Sequence, residues 1–455
     1  METQQSAEIV PLVDEGLGNS SYLVPLGDGR ALVLDPCRDP TPYLELAERL
    51  NLRIAFAAET HLHADFISGS RELAAFGAAI LAPLASHLAA AYRGLEDGEE
   101  VDLGGLTLRS LATPGHTPEH LAYLLLDGPK PLALFSGGAV LPGGAARPDL
   151  IGPDETKPLA RDLYRSAHQR LETLSDDLPV YPTHGAGSFC SAGAGGQRTT
   201  SLGRERHESP LFSAAGEDAF VRTFLDGLGT FPPYFLRLRT VNQRGVRLYG
   251  VNPPGLAPLS VEEFRGQKAA GAIVIDVRPF GDFARGHLSD ALSIALRPAF
   301  ASWLGWIVPA ERPLVFVREP DQDGRDLVDQ CLKIGYENLV GELQGGMDAW
   351  RGAGLPVSTI TVRQVNEDLQ GTQLDVRQAS EWTGGHIPGA RHVELGSVMT
   401  SAGVIPAGPL TIYCGHGERA MTAASLLEGQ GRGSLAVLDG GFDAWRSAKR
   451  PIALG

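Results

Sequence analysis

A pattern that occurs twice does most to limit what this chain can fold into. Asp276-Val277-Arg278, Gly286-His287-Leu288 and Gly345-Gly346-Met347-Asp348-Ala349-Trp350 return as Asp375-Val376-Arg377, Gly385-His386-Ile387 and Gly440-Gly441-Phe442-Asp443-Ala444-Trp445. The Asp-to-Trp spacing is 74 residues in the first copy and 70 in the second. Within each copy, short apolar runs alternate with helical patterns. Ala272-Ile273-Val274-Ile275 and Leu314-Val315-Phe316-Val317 have no polar interruption, as suits parallel strands covered on both faces. Strands alternating with helices predict two α/β domains with mostly parallel sheets. A chain of 455 residues exceeds one core, so the residues ahead of the repeat form a further unit. Asn252-Pro253-Pro254-Gly255 marks the linker before the first copy, and Gly352 to Pro356 marks the turn between copies. The expected domains are 1–245, 256–355 and 358–455.

The copies differ at one decisive position. Pro313-Leu314-Val315-Phe316-Val317 aligns with Pro409-Leu410-Thr411-Ile412-Tyr413, and the next residue is Arg318 in one copy and Cys414 in the other. Cys414 opens the loop Gly415-His416-Gly417-Glu418-Arg419, just ahead of a helical pattern. Loop amides and a helix N-terminus favour an anion there, and Arg419 adds positive charge. Such settings lower a cysteine pKa from about 8.5 to roughly 3.5–7.5, which suits a nucleophile. Arg318 cannot accept sulfur, and the acidic Glu319-Pro320-Asp321-Gln322-Asp323 that follows would not gather an anion, so the first copy reads as a scaffold or docking domain. The Cys414 loop, Asp375-Val376-Arg377, Gly385-His386-Ile387-Pro388-Gly389-Ala390 and the final Gly-Gly-Phe-Asp-Ala-Trp together resemble the rhodanese family of sulfurtransferases. That resemblance implies that Cys414 takes a sulfane sulfur as a persulfide and passes it to a thiol acceptor. It makes Cys414 and Arg419 the expected catalytic residues and Gly415, His416, Gly417 and Glu418 the expected substrate loop.

The first 245 residues carry histidines in three strand-end clusters. These are Thr60-His61-Leu62-His63-Ala64-Asp65-Phe66, Thr113-Pro114-Gly115-His116-Thr117-Pro118-Glu119-His120 and Tyr181-Pro182-Thr183-His184-Gly185. Imidazole is the commonest protein ligand for zinc and suits iron equally. The clusters resemble the metallo-β-lactamase superfold, which implies an αββα sandwich. Together with Asn19-Ser20-Ser21-Tyr22-Leu23 and Leu34-Asp35-Pro36 they resemble persulfide dioxygenases fused to rhodanese domains. That branch implies one Fe(II) that, with O2, oxidises glutathione persulfide to sulfite and glutathione. Phe66 stands where two-metal hydrolases of the superfold carry a histidine ligand, and phenylalanine cannot ligate.

The family's iron is held by two histidines and an aspartate, a facial set with open positions. The resemblance places the histidines at His61 and His116 and the aspartate at position 138, where this chain has glycine. Three completions stay open: His63 making a three-histidine set, Asp65 or Asp149 supplying a carboxylate, or water. His184 belongs to the second metal site of the binuclear relatives, and is expected to shape the pocket by hydrogen bonding or, failing that, to ligate. Two alternatives stay open: an N-terminal pseudoenzyme with only Cys414 active, which Gly138 favours, or a zinc hydrolase using His61, His63 and His116 on thioesters, which Phe66 and the fusion to sulfurtransferase-like domains disfavour.

Composition narrows the partners. A net charge of −15 argues against nucleic acid or an anionic membrane. Met1 to Val10 has neither a basic nor an apolar signal region, and no run is long enough to cross a bilayer. Four scattered cysteines, Cys37, Cys190, Cys331 and Cys414, form no disulfide framework, so a reducing cytoplasm is expected. The expected partners are glutathione persulfide, thiosulfate or other sulfane-sulfur donors, and thiol acceptors. A homo-oligomer stays an open option. The Gly193-Ala194-Gly195-Gly196 piece has no phosphate-loop lysine and reads as a turn.

Overall fold

The structure is a computed structural model and describes residues 8–192, 196–401 and 403–455. The first seven residues and most of the glycine-rich piece lie outside the described residues. Two compact units are present: one runs to Pro254 and includes Cys331–Gly335, the other comprises Gly255–Gln330 and Tyr336–Gly455.

The first unit is the expected four-layer sandwich. One mixed six-stranded sheet takes Val10–Asp14, Asn19–Pro25, Arg30–Leu34, Arg53–Ala58, Ala79–Pro83 and Arg93–Leu95 in sequence order. The second takes Thr200–Ser201, Pro179–Pro182, Lys130–Gly137, Leu121–Asp127, Leu106–Ala112 and Glu100–Asp102. Alternate residues of each strand face the partner sheet, so Tyr22, Leu32, Leu34, Leu108, Tyr123, Leu125 and Phe135 make one core between the sheets. Their neighbours face outward and are covered by helices: Leu23 and Val33 by Tyr43 and Leu46, Leu124 and Leu134 by Leu163 and Phe220. All three histidine clusters follow strand C-terminal ends, after Arg53–Ala58, Leu106–Ala112 and Pro179–Pro182.

The second unit holds two five-stranded sheets whose strand pairs are all parallel. The first has the order Pro258–Leu259, Leu339–Leu343, Leu314–Val317, Ile273–Asp276, Leu292–Ser293, and the second repeats it with Thr361–Arg363, Leu435–Leu438, Leu410–Tyr413, Thr372–Asp375, Arg391–His392. The repeated Asp-x-Arg is a local clamp in both copies. Arg278 Nη2 donates to Asp276 at 2.7 Å and to Gly286 O, and Arg377 Nη2 to Asp375 at 2.6 Å and to Gly385 O. The repeated tryptophan donates its indole N–H to a carbonyl six residues on, Trp350 to Pro356 and Trp445 to Pro451.

The helix Glu418–Gly429 joins the copies. Eight consecutive residues, Ala420 to Leu427, are buried. Thr422 Oγ1 donates to Ser293 O at 2.6 Å, Ser293 N donates to Ser425 Oγ at 3.1 Å, and Glu428 meets His287 at 2.7 Å. No helix among the described residues is long and apolar enough to cross a membrane.

Candidate functional sites

Cys414 ends the buried strand Leu410–Tyr413, and its Sγ accepts the Gly417 amide at 3.1 Å. The loop is pinned from the far side, where Phe442 N donates to Cys414 O at 2.7 Å and Asp443 N to Gly415 O at 3.2 Å. That approach needs Gly441. Its φ is +55°, and a β-carbon there would lie 2.3 Å from Cys414 O. Arg419 is engaged by a carboxylate and an aromatic ring. Its Nη1 and Nη2 bond to Glu381 at 2.6 and 2.8 Å, and its guanidinium carbon lies 5.5 Å from the centre of the Trp303 ring. Burial pushes Glu381 toward its neutral form, but Arg419 outweighs this and holds the carboxyl below its usual range. His416 is exposed and stands 3.4 Å from Asp443, while Glu418 faces Arg297 of the first copy at 4.0 Å. Phe280, also of the first copy, packs against Gly417. Glu381 is 38 residues from Arg419, and nothing local in the sequence couples them.

In the first copy the corresponding loop is filled from within. Arg318 bonds to Glu342 through Nε and Nη2 and donates Nη1 to Gln322 O at 2.8 Å. Cys331 is fully buried.

In the first unit His61, His116 and His184 each place one ring nitrogen within 4.8 Å of the others, all buried. His61 Nε2 and His184 Nε2 stand 3.3 Å apart. His116 Nδ1 donates to Arg147 O at 2.7 Å, and its Nε2 is buried with no hydrogen-bond partner. Burial, reinforced by neighbouring imidazoles, holds His61 and His116 well below the usual histidine pKa, so both rings are neutral. Converging buried imidazole nitrogens, one of them orphaned, are the donor set a transition-metal ion requires, and the residues present fit such an ion.

The other candidates have different partners. His63 Nε2 lies 3.0 Å from Glu59 and 3.3 Å from Asp35. Burial opposes its charge, but the two carboxylates raise its pKa to about 10, so His63 is an imidazolium without a free lone pair at Nε2. Asp65 Oδ2 accepts from Asn19 Nδ2 at 2.8 Å and stands 3.3 Å from His184 Nδ1, behind that ring. His120 Nε2 accepts the Gly138 amide at 2.9 Å, and burial lowers its pKa to about 4. Asp149 is bound to Arg147 at 2.7 Å. Asn19, which holds both Asp65 and His184, was legible only as part of a motif.

The fold and the two sites define the class: a metallo-β-lactamase-fold domain with a buried histidine cluster, followed by two rhodanese-like domains. The sequence profile of the rhodanese-like domain matches residues 260–353 and 361–448. A solved metallo-β-lactamase from Staphylococcus aureus subsp. aureus COL aligns with a TM-score of 0.65 at 26% identity, over 74% of this chain and 98% of that one. The human mitochondrial persulfide dioxygenase ETHE1 is 32% identical over 173 residues, 37% of this chain and 64% of the relative. Its mouse counterpart is 30% identical over 192 residues, 40% of this chain and 72% of the relative. The chain thus spans just under two thirds of the human protein's length and somewhat more of the mouse protein's. It belongs to the ETHE1 persulfide dioxygenase family, extended by two rhodanese-like domains.

Proposed function

We propose that this protein is a sulfur-metabolism enzyme in which Cys414 carries sulfane sulfur and the histidine pocket oxidises glutathione persulfide. The observation that carries the reading is the buried convergence of His61, His116 and His184 in a domain similar to ETHE1. At the C-terminal site, Cys414 Sγ attacks the outer sulfur of thiosulfate as a thiolate. The S–S bond breaks, sulfite leaves with the electron pair, and Cys414 holds a persulfide. Glutathione thiolate then attacks the outer sulfur, forming glutathione persulfide and releasing the Cys414 thiolate. The Gly417 N–H, already aimed at Sγ, stabilises negative charge on sulfur in both steps. Arg419, committed to Glu381, sets the loop's shape beneath Trp303.

In the N-terminal pocket His61 and His116 would hold a ferrous ion, which supplies the O2 activation that persulfide oxidation requires. His116 is oriented by the Arg147 carbonyl and His61 by Thr60, so both rings are preset. Gly138 favours a second reading, in which the N-terminal domain lacks turnover and only Cys414 is active.

One experiment separates these readings. Iron-loaded protein is given glutathione persulfide in an oxygen electrode, with sulfite assayed, beside anaerobic thioester cleavage. O2 uptake matched by sulfite supports the dioxygenase; no uptake, with or without thioester cleavage, overturns it. In parallel, sulfur-labelled thiosulfate should label wild type and leave Cys414→Ser unlabelled; equal labelling refutes the sulfurtransferase half.

A further inference from the structure

The chain lacks a carboxylate at position 138, and the structure also lacks room for one. A β-carbon on Gly138 would lie 2.7 Å from His116 Cδ2 and 2.8 Å from Ala146 Cβ. The Gly138 amide is itself held by His120 Nε2 at 2.9 Å. An acid introduced there would displace the His116 ring rather than complete a ligand set around it.

The hydrogen bonds behind the three rings fix which nitrogen carries each proton. Thr60 has a single hydroxyl proton and gives it to the Asp35 carboxylate at 2.8 Å, so its oxygen accepts from His61 Nδ1, also at 2.8 Å. Asn19 turns its NH2 toward Asp65 at 2.8 Å, so its Oδ1 accepts from His184 Nδ1 at 3.1 Å. His116 Nδ1 can only donate to the Arg147 carbonyl. Each ring in its neutral form therefore carries its proton on Nδ1 and its lone pair on Nε2. His61 Nε2 and His184 Nε2 face each other at 3.3 Å, and His116 Nε2, buried beside them, has no partner. A buried acceptor left unmade, as His116 Nε2 is, destabilises the fold. A cation between the rings satisfies all three.

We infer that one divalent first-row cation is held by His61, His116 and His184, with His184 the third ligand in place of the carboxylate absent at position 138. The set is neutral in its first contacts. The missing negative charge is supplied one step out, by Asp65 behind His184, as carboxylates commonly support metal-bound imidazoles. His63 turns its Nε2 to Glu59 and Asp35, so that nitrogen does not join the three converging ones. The inference rests on the reading that the pocket holds a metal, and it makes no use of turnover.

The test uses full-length protein loaded with Co(II) without O2. Bound metal, its dissociation constant by chelator competition and the number of coordinated imidazoles by pulsed electron spin resonance are measured. Wild type is expected to bind one equivalent with three imidazoles. His184→Ala should weaken binding by at least 100-fold and Asp65→Asn by about 10–100-fold. Gly138→Asp should also weaken it, because the new side chain collides with His116. Two imidazoles in wild type, no bound metal, unchanged affinity in His184→Ala, or tighter binding in Gly138→Asp would each overturn the assignment. The wild-type imidazole count needs no variant to fold. An intact three-imidazole site that consumes no O2 supports this ligand set and refutes only the dioxygenase reading.

Discussion

Replacing Glu381 with glutamine removes a charge and keeps the shape, and it isolates what the Arg419 clamp contributes. Arg419 is 14% exposed and Glu381 36%, with both guanidinium Nη atoms engaged. Breaking a fully buried ion pair costs about 3–5 kcal/mol, and an exposed pair is worth about 0–1. A clamp buried on the arginine side and open on the carboxylate side falls between, at about 2 kcal/mol. For a unit of roughly 200 residues that lowers the melting temperature by about 4–8 °C. All five tryptophans, Trp303, Trp306, Trp350, Trp382 and Trp445, lie in the second unit, so intrinsic fluorescence follows its unfolding without contribution from the first. The pH dependence supplies a second check. Glu381 is ionised more easily folded than unfolded, so the clamp stabilises fully above the unfolded pKa near 4.3 and is lost as pH falls through the lower folded value. The gap between wild type and Glu381→Gln should therefore close on acidification. A loss below about 0.5 kcal/mol at pH 7, or a gap that widens toward acid, would show that Arg419 is not held as described.

Two further substitutions probe the same unit. Gly441→Ala puts a β-carbon against Cys414 O at a left-handed residue; about 1–2 kcal/mol of stability should go by fluorescence-monitored denaturation, and labelled-sulfur uptake should fall at least tenfold. Thr422→Val leaves the Ser293 carbonyl without its side-chain donor and should cost about 1–2 kcal/mol in the same assay, with Cys414 labelling in native buffer retained.

Features carried by short-range spacing were legible in the sequence. The Cys414 loop, the repeated Asp-x-Arg motif and the parallel strands could be placed because each depends on residues a few positions apart, or on uninterrupted apolar runs. Gly138 was legible as a missing acid. That His116 and Ala146 close over it was not, since neither is adjacent in sequence. His63 lies two residues from His61 and so looks like a co-ligand. Its Nε2 instead faces Asp35 and Glu59, because alternate residues after a strand diverge and two carboxylates wait on that side. Glu381 and Asn19 escaped for the same reason: their partners are 38 and 165 positions away.

The helix behind Cys414 is enclosed on every side along Ala420 to Leu427, and part of that enclosure is Ser293 and its surroundings in the copy that carries Arg318. The copy without a thiol thus gives the helix behind the thiol its surroundings. Substitutions along Leu292–Ser293 or at His287 would be felt as a loss of stability in a domain that they do not belong to, and the last hundred residues excised alone would present an oily flank to water.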